Sequence, residues 1–427
     1  MTSRDIYKDG VDFTTLALQS PDFAKFLKPN NQLDFTDPNA VKQLTVSLLQ
    51  RDFNLKVEIP EARLCPPVPN RLNYILWLQD LLDSTGDGYR DGYDPDRVVT
   101  GLDIGTGCCS IYPLLGVSMR PKWQFVATDI DEDNIRTSSF TVDANKLNSR
   151  IRVVKTTPSD DLFPLNTVLG VERLDLTMCN PPFYSSREEM VTSAQEKERP
   201  PFSACTGAEV EMVTPGGEVS FVSRMIEESL QLREKILWYT SMLGKLSSVS
   251  LLAENLIELG NHNYAVTEFV QGNKTRRWAI AWSWADIRPN VSVARGISHF
   301  PKHLLPFPSE YTFELPRSSI DDVSKRVDAE LSSLHIHWAW RQNLTTGVGF
   351  ASDNVWSRQY RRKMKMFDTQ EKPGIDEKTA ALGFKVQLKV DSIEEKTVTV
   401  VIRWLKGTDS VLFESLCGMI KRKLEGR

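Results

Sequence analysis

Apolar positions in the first hundred residues recur at helical spacing. A segment opened by Asp37-Pro38 carries Val41, Leu44, Leu48 and Leu49 on one stripe. A second stripe follows Pro69, through Leu72, Ile75, Leu76 and Leu82, and the Gly- and Asp-rich run Ser84 to Pro95 then reads as a loop. From Val98 the rhythm changes to short apolar runs, Val98 to Ile104, Gln124 to Thr128, Ile151 to Val154 and Leu174 to Cys179, separated by helix-length stretches. Strands alternating with helices need crossover connections, so the pattern predicts a parallel sheet in an α/β domain. Further strands are expected at Lys245 to Leu252, Tyr264 to Val270 and Trp278 to Trp284.

Scattered prolines and weak periodicity mark Ala285 to Pro308 as a connection between domains. Beyond it the pattern predicts a strand at Tyr311 to Leu315, an amphipathic helix at Ser319 to Leu334, and strands at Trp338 to Phe350, Val355 to Met366, Phe384 to Val390 and Thr397 to Trp404. Ser410 to Leu424 reads as a closing helix. The expected organisation is a helical extension over 1–97, an α/β core over 98–286, a linker over 287–308 and a small α+β module over 309–427.

At 427 residues, 41% hydrophobic and 25% charged, the chain has the composition of an ordinary folded protein with more than one core. Its net charge of -4 argues against coating nucleic acid by bulk charge, so any grip on RNA must be local. The six cysteines show no C-x-x-C spacing, and His335 and His337 share a strand-like stretch with Trp338 and Trp340 that suits packing better than metal. No metal is therefore expected, and the thiols fit a reducing compartment. The polar start from Met1 to Gly10, with no apolar run near the roughly 20 residues a bilayer demands, leads us to expect a soluble, non-secreted protein of nucleus or cytoplasm.

Three motifs carry chemistry. The run Gly101-Leu102-Asp103-Ile104-Gly105-Thr106-Gly107 ends the first predicted strand, where ligands of open α/β sheets bind. Cys109 stands where a dinucleotide fold repeats Gly or Ala, which disfavours a dehydrogenase; Gly105 and Gly107 suit instead the amino-acid end of S-adenosylmethionine. Asp129, closing the second strand, can accept from both ribose hydroxyls of a nucleoside, while Asp131 can cap the following helix. Asn180-Pro181-Pro182-Phe183 follows Leu174 to Cys179 directly. An exocyclic adenine amine is a poor nucleophile because its lone pair is delocalised. The Asn180 oxygen and the Pro181 carbonyl can hold both its hydrogens, the two prolines stiffen that backbone, and Phe183 offers a stacking face. Catalysis then rests on orientation and electrostatics, with no strong general base.

Such a pocket cannot reach an adenine buried in a duplex, so the substrate adenosine must be unpaired or flipped. Basic clusters that would hold the strand are Arg4 and Lys8, Lys197 and Arg199, and Lys274, Arg276 and Arg277. Further clusters surround Tyr360 (Arg358, Arg361, Arg362, Lys363 and Lys365) and end the chain (Lys421, Arg422 and Lys423). The polar stretch Ser185 to Pro215 reads as a substrate-covering loop.

With these motifs stand Tyr7-Lys8-Asp9, Pro69-Asn70-Arg71-Leu72-Asn73-Tyr74-Ile75, Ile111-Tyr112-Pro113-Leu114-Leu115-Gly116, Gly216-Gly217-Glu218, Trp238-Tyr239, Met242-Leu243-Gly244-Lys245 and Thr267-Glu268-Phe269. From about Tyr7 to Trp284 the chain thereby resembles the methyltransferase-like protein 16 family, U6 small nuclear RNA adenine-N6 methyltransferases whose bacterial relatives modify large-subunit ribosomal RNA. The resemblance implies a Rossmann-like class I methyltransferase domain that uses S-adenosyl-L-methionine. Arg71 and Gly105 would contact that cofactor, Asp129 would hold its ribose, Asp161 would lie near a further contact, and Asn180 would stand between cofactor and adenine. Asp160-Asp161 replaces a family loop that carries a lysine. Arg277 matches an RNA-binding arginine, and Lys274 and Arg276 fall beside it. The C-terminal module resembles the family's vertebrate conserved region, which has a kinase-associated-domain-like fold and helps to bind U6 RNA.

The expected activity is adenine-N6 methylation of RNA, with U6 small nuclear RNA as leading substrate and ribosomal RNA as the alternative. Protein glutamine methylation also uses Asn-Pro-Pro but with Tyr in fourth place, so Phe183 argues against it. A non-catalytic RNA-binding splicing factor retaining the fold is the other reading.

Overall fold

The computed structural model describes residues 4–61, 63–90, 92–189, 207–271, 275–360, 362, 374–392 and 397–426. The chain divides into two compact units, one of Met1–Asp80, Tyr93–Ala285 and Gly296–Leu305, the other of Leu81–Gly92, Asp286–Arg295 and Pro306–Arg427.

The first unit begins with helices α1 (Phe13–Gln19), α2 (Pro21–Ala24), α3 (Pro38–Phe53) and α4 (Val68–Asp83). Local chemistry sets their ends. Asp12 and Asp37 accept from the first free N–H groups of α1 and α3, Pro38 occupies the first turn of α3, and Asn54 ends it with a left-handed φ of 54°. The Tyr7 hydroxyl donates to Asp52 at 2.6 Å, tying the N-terminal segment to α3.

Seven strands follow: β1 (Val99–Ile104), β2 (Trp123–Asp129), β3 (Ile151–Lys155), β4 (Leu174–Cys179), β5 (Ile236–Leu243), β6 (Tyr264–Gln271) and β7 (Thr275–Trp282). Their order is β3-β2-β1-β4-β5-β7-β6, with a two-residue piece at Arg295–Gly296 beyond β6. β1 to β5 pair in parallel, and β7 inserts antiparallel between β5 and β6. Helices α5 (Ile111–Met119) and α6 (Glu132–Ala144) make the first crossovers. The expected α/β class with a helical N-terminal region is therefore observed. Because order reverses between β1 and β4, a crevice opens at their carboxyl ends.

One strand was misplaced. Lys245 to Leu252 is not a strand; Leu246–Glu258 is a helix, and the strand is the preceding run Ile236–Leu243. Val249, Leu252, Ala253 and Leu256 recur every three or four residues and are buried, a period that the short window Lys245 to Leu252 is too brief to reveal.

In the second unit a five-stranded antiparallel sheet runs in the order His337–Arg341, Thr346–Ala351, Leu382–Ser392, Thr397–Lys406, Glu310–Leu315. Helices Ile320–Ser332 and Ser410–Glu425 bury Val323, Val327, Leu416 and Ile420 in one core with Phe384, Val386, Ile402 and Trp404. Trp338 to Phe350, expected as one strand, is a hairpin whose turn at Gln342–Leu344 ends on left-handed Thr345. Residues 355–360 form a turn and a short helical stretch rather than the expected strand, and of the rest of Val355 to Met366 only residue 362 lies within the described residues. The loop after α4 contributes directly here: the buried Arg403 guanidinium donates to the Ser84 carbonyl at 2.6 Å, and Arg288 donates to the Gly407 carbonyl at 2.8 Å while lying 4.2 Å above the Trp404 ring. Burial pushes both guanidinium groups down to about 10.

Candidate active site

The register of the sheet brings the three chemical motifs together. Ile104 on β1 pairs with Thr128 on β2 and Cys179 on β4, so Gly105, Asp129 and Asn180 leave the sheet at one level. A cavity of about 570 Å³ opens there, in the range of small-molecule sites. Its walls include Arg71, Gly105, Gly107, Asp129 and Asp161 on the cofactor side expected from sequence, and Asn180, Pro181 and Pro182 from the fourth strand's exit.

Gly105 and Gly107 have φ of +70° and +68°, and a Cβ at either would meet nothing within 4 Å. Glycine is thus demanded by the left-handed backbone, and the space beside the turn stays open to a ligand. The Gly107 N–H donates to Asp129 Oδ2 at 2.9 Å and the Asp131 N–H to Oδ1 at 2.9 Å, with Asn134 Nδ2 at 3.4 Å from Oδ2. Burial raises the Asp129 carboxyl, and these donors pull it back. Asp131 caps α6 by accepting from the Asn134 N–H, so Asp129 faces the cavity while its neighbour ends the helix. Beneath the turn Asp103 is fully buried. Its Oδ2 accepts from the Thr106 hydroxyl at 2.7 Å, its Oδ1 has no hydrogen-bond partner, and burial pushes the carboxyl up to about 7. Arg71, 6% exposed on α4, has Nη1 3.5 Å from Met242 Sδ and its guanidinium 5.5 Å above the Tyr112 ring.

Two further segments, the loop after β3 and part of the stretch Ser185 to Pro215, complete the walls. The loop after β3, with Asp160 and Asp161, is held from the helix Gly217–Leu232: Arg224 donates to the Asp160 carbonyl at 2.7 Å, and Glu228 accepts from the Leu162 and Phe163 amides at 2.7 and 3.3 Å. On another side Glu211 accepts from the Leu64 and Ala208 amides, each at 2.9 Å, joining two wall segments through one carboxylate. Nothing in one sequence marks these glutamates as different from solvated ones.

At the exit of β4 the Asn180 Oδ1 is buried without a hydrogen-bond partner. Phe183 does not line the cavity; it packs where a Cβ on Gly244 would come within 3.0 Å of its ring, and Arg277 lies 5.7 Å from the ring centre. Glu218, 3% exposed, fixes that seat by accepting from the Gly244 and Lys245 amides at 2.6 and 3.2 Å. This gives the Gly216-Gly217-Glu218 and Met242-Leu243-Gly244-Lys245 runs a shared structural task.

The basic candidates are dispersed. Arg4 donates to Gln79 at 2.9 Å and pairs with Asp80 on α4, so it is engaged within the fold. Lys8 is exposed, Arg276 is exposed but paired with Glu268 at 2.8 Å, and among the described candidates Arg277 alone reaches the Asn180 to Phe183 motif. Lys197, Arg199 and Lys274 lie outside the described residues. No group of three or more His, Cys, Asp or Glu residues that could hold a metal occurs among the described residues, nor is any helix there long and apolar enough to cross a membrane.

A family of RNA methyltransferases matches residues 1–286. The chain belongs to that family. Among relatives of this methyltransferase, the U6 small nuclear RNA (adenine-(43)-N(6))-methyltransferase of Schizosaccharomyces pombe is 34% identical over 92% of this chain and 96% of its own length. The RNA N(6)-adenosine-methyltransferase mettl16 of Danio rerio is 34% identical over 99% of this chain and 97% of its own. Among solved structures, the human METTL16 catalytic domain in complex with a MAT2A 3′UTR hairpin superposes with a TM-score of 0.58 at 40% identity, covering 67% of this methyltransferase and 96% of that chain. The N-terminal domain of human METTL16 in complex with SAH gives 0.53 at 38% identity, covering 67% and 98%.

Proposed function

We propose that this methyltransferase transfers a methyl group from S-adenosyl-L-methionine to the N6 amine of an unpaired or flipped adenosine in U6 small nuclear RNA, and that it acts in the nucleus. The observation that carries this reading is the buried, unpartnered Oδ1 of Asn180, a residue that lines the same cavity as the left-handed Gly105 turn. A buried acceptor with no donor costs free energy unless a ligand supplies one. The adenine amine is such a donor.

The residues present also fit the cofactor. Asp129 keeps a free lone pair beside the open glycine turn, and Arg71 offers a cation to the carboxylate of the amino-acid end. Asp161, also on the cavity wall, is assigned to a further contact with the cofactor. S-Adenosylmethionine supplies an electrophilic methyl on sulfur. The chain's own part is to hold the target nitrogen: Asn180 Oδ1 and the Pro181 carbonyl accept hydrogen bonds from its two N–H groups, favouring the pyramidal form, while Phe183, outside the cavity wall, is assigned to stack the ring as the flipped base enters. Once methylated the cationic nitrogen sheds a proton to water, so no side-chain base is required. Lys8, Lys197, Arg199, Lys274, Arg276 and Arg277 are assigned to the RNA backbone, Arg4 being held in its ion pair until RNA competes for it. The C-terminal module, taken as kinase-associated-domain-like, adds RNA-binding surface. Names of relatives that specify U6 adenine-N6 methylation support the substrate.

The test is incubation with U6 transcript and labelled S-adenosylmethionine, followed by nucleoside analysis. N6-methyladenosine at one position, absent with Asn180→Ala, is the expected result. Label on protein, or on a nucleoside other than adenosine, overturns the assignment.

A further inference from the structure

Asn134 lies in the first turn of α6, is 1% exposed and lines the cavity. Its Nδ2 points to Asp129 Oδ2 at 3.4 Å, and its Oδ1 is buried with no hydrogen-bond partner. A carboxylate oxygen accepts about two hydrogen bonds. Asp129 Oδ2 already accepts from the Gly107 N–H and from Asn134, whereas Oδ1 accepts only from the Asp131 N–H. Asp129 therefore has room for one ribose hydroxyl at Oδ1. A nucleoside presents two.

We infer that Asn134 is a cofactor-binding residue that shares the ribose diol with Asp129: one hydroxyl donates to Asp129 Oδ1, the other to Asn134 Oδ1. This rests on the cofactor assignment above and corrects the sequence expectation that Asp129 alone takes both hydroxyls. Asn134 does a second job through its Nδ2, which together with the Gly107 and Asp131 amides offsets the cost of burying the Asp129 charge. An amide suits this place because it donates to the carboxylate with one end and accepts from the sugar with the other. A hydroxyl is smaller, and a second carboxylate would repel Asp129.

The experiment is a calorimetric cycle on the full chain with S-adenosylhomocysteine and its 2′-deoxy and 3′-deoxy analogues, using wild type and Asn134→Ala. Wild type is expected to lose about tenfold in affinity for each deoxy analogue, the scale of one hydrogen bond left unmade. Asn134→Ala should bind S-adenosylhomocysteine about tenfold more weakly and then be indifferent to removal of one hydroxyl, while still losing about tenfold on removal of the other. Equal losses by wild type and variant for both analogues would overturn the inference, since Asn134 would then meet neither hydroxyl. Asn134→Ser carries the same cycle should the alanine variant not fold. The underlying cofactor reading fails by a different sign: wild type that binds S-adenosylhomocysteine not at all.

Discussion

The Arg277 guanidinium lies 5.7 Å from the centre of the Phe183 ring, so antiparallel β7, separated from β4 by β5 alone, reaches the segment that leaves β4. A cation over an aromatic face at such a site is worth about 0.5–1 kcal/mol, and the same guanidinium is placed to meet a phosphate beside a stacked adenine. Arg277→Ala should weaken binding of the U6 transcript by about fivefold to tenfold. Arg277 does not line the cavity, so S-adenosylhomocysteine affinity should stay unchanged. Fluorescence anisotropy with RNA and calorimetry with the nucleoside read the two separately, and a parallel loss of both affinities would refute the placement.

Asn180→Ala separates stability from activity. The side-chain oxygen of Asn180 is buried and unpartnered without substrate, so its removal takes away a desolvation cost of about 1–3 kcal/mol rather than a stabilising bond. The ligand-free variant should melt no lower than wild type, yet methyl transfer should fall by at least about a hundredfold because the amine loses its orienting acceptor. A variant that melts several degrees lower would show that Asn180 is held by the fold instead of waiting for a ligand.

The chemistry at the ends of β1, β2 and β4 was legible because each motif is a local signal: glycines required by positive φ, an acidic residue closing a strand, and prolines stiffening the exit. Parallel pairing then converts local order into proximity, since Ile104 pairs with both Thr128 and Cys179. The walls were not legible. Glu211, Glu218 and Glu228 act by accepting backbone N–H groups from Leu64, Gly244 and Leu162, which lie 147, 26 and 66 residues away. A glutamate that will be desolvated at long range looks in sequence like one left in water. The Lys245 to Leu252 strand failed for another reason: a window of that length reports apolar content and not period.

Asp103 should make stability depend on pH in a direction opposite to the usual carboxylate. Burial pushes its carboxyl up to about 7, with Asp129 adding to the rise and Thr106 and Arg71 opposing it. The folded state therefore keeps a proton that the unfolded chain releases near pH 4, and this group's contribution to stability falls as pH rises from about 4 to about 7. Burial also raises Asp129, Glu211 and Glu228, which act in the same sense and remain in an Asp103→Asn variant. Thermal melts of ligand-free wild type and Asp103→Asn should thus converge near pH 4 and diverge by several degrees near pH 8, the variant being the more stable. Curves that stay parallel across the range would mean that Asp103 is ionised throughout.

The seat under Phe183 should tolerate no added carbon. A Cβ on Gly244 would approach two Phe183 ring atoms at 3.0 and 3.3 Å and Glu218 Oε2 at 3.2 Å, and both neighbours are constrained: the ring by Arg277, the carboxylate by the Gly244 and Lys245 amides. Gly244→Ala must therefore shift the ring or break a buried hydrogen bond. Displacing a stacking face by less than 1 Å leaves binding nearly intact while spoiling the near-attack arrangement, which can cost about a hundredfold. The expected signature is a fall in kcat of at least about tenfold, with KM for RNA changed less than about threefold and cofactor affinity unaltered. Glu218→Gln reaches the same seat from below, because its amide nitrogen cannot accept from the second backbone N–H and leaves that donor unsatisfied at about 1–3 kcal/mol. It should lower both kcat and melting temperature, whereas Gly244→Ala should lower chiefly kcat. An alanine variant with wild-type kcat would show that Phe183 carries no positional demand in the reaction.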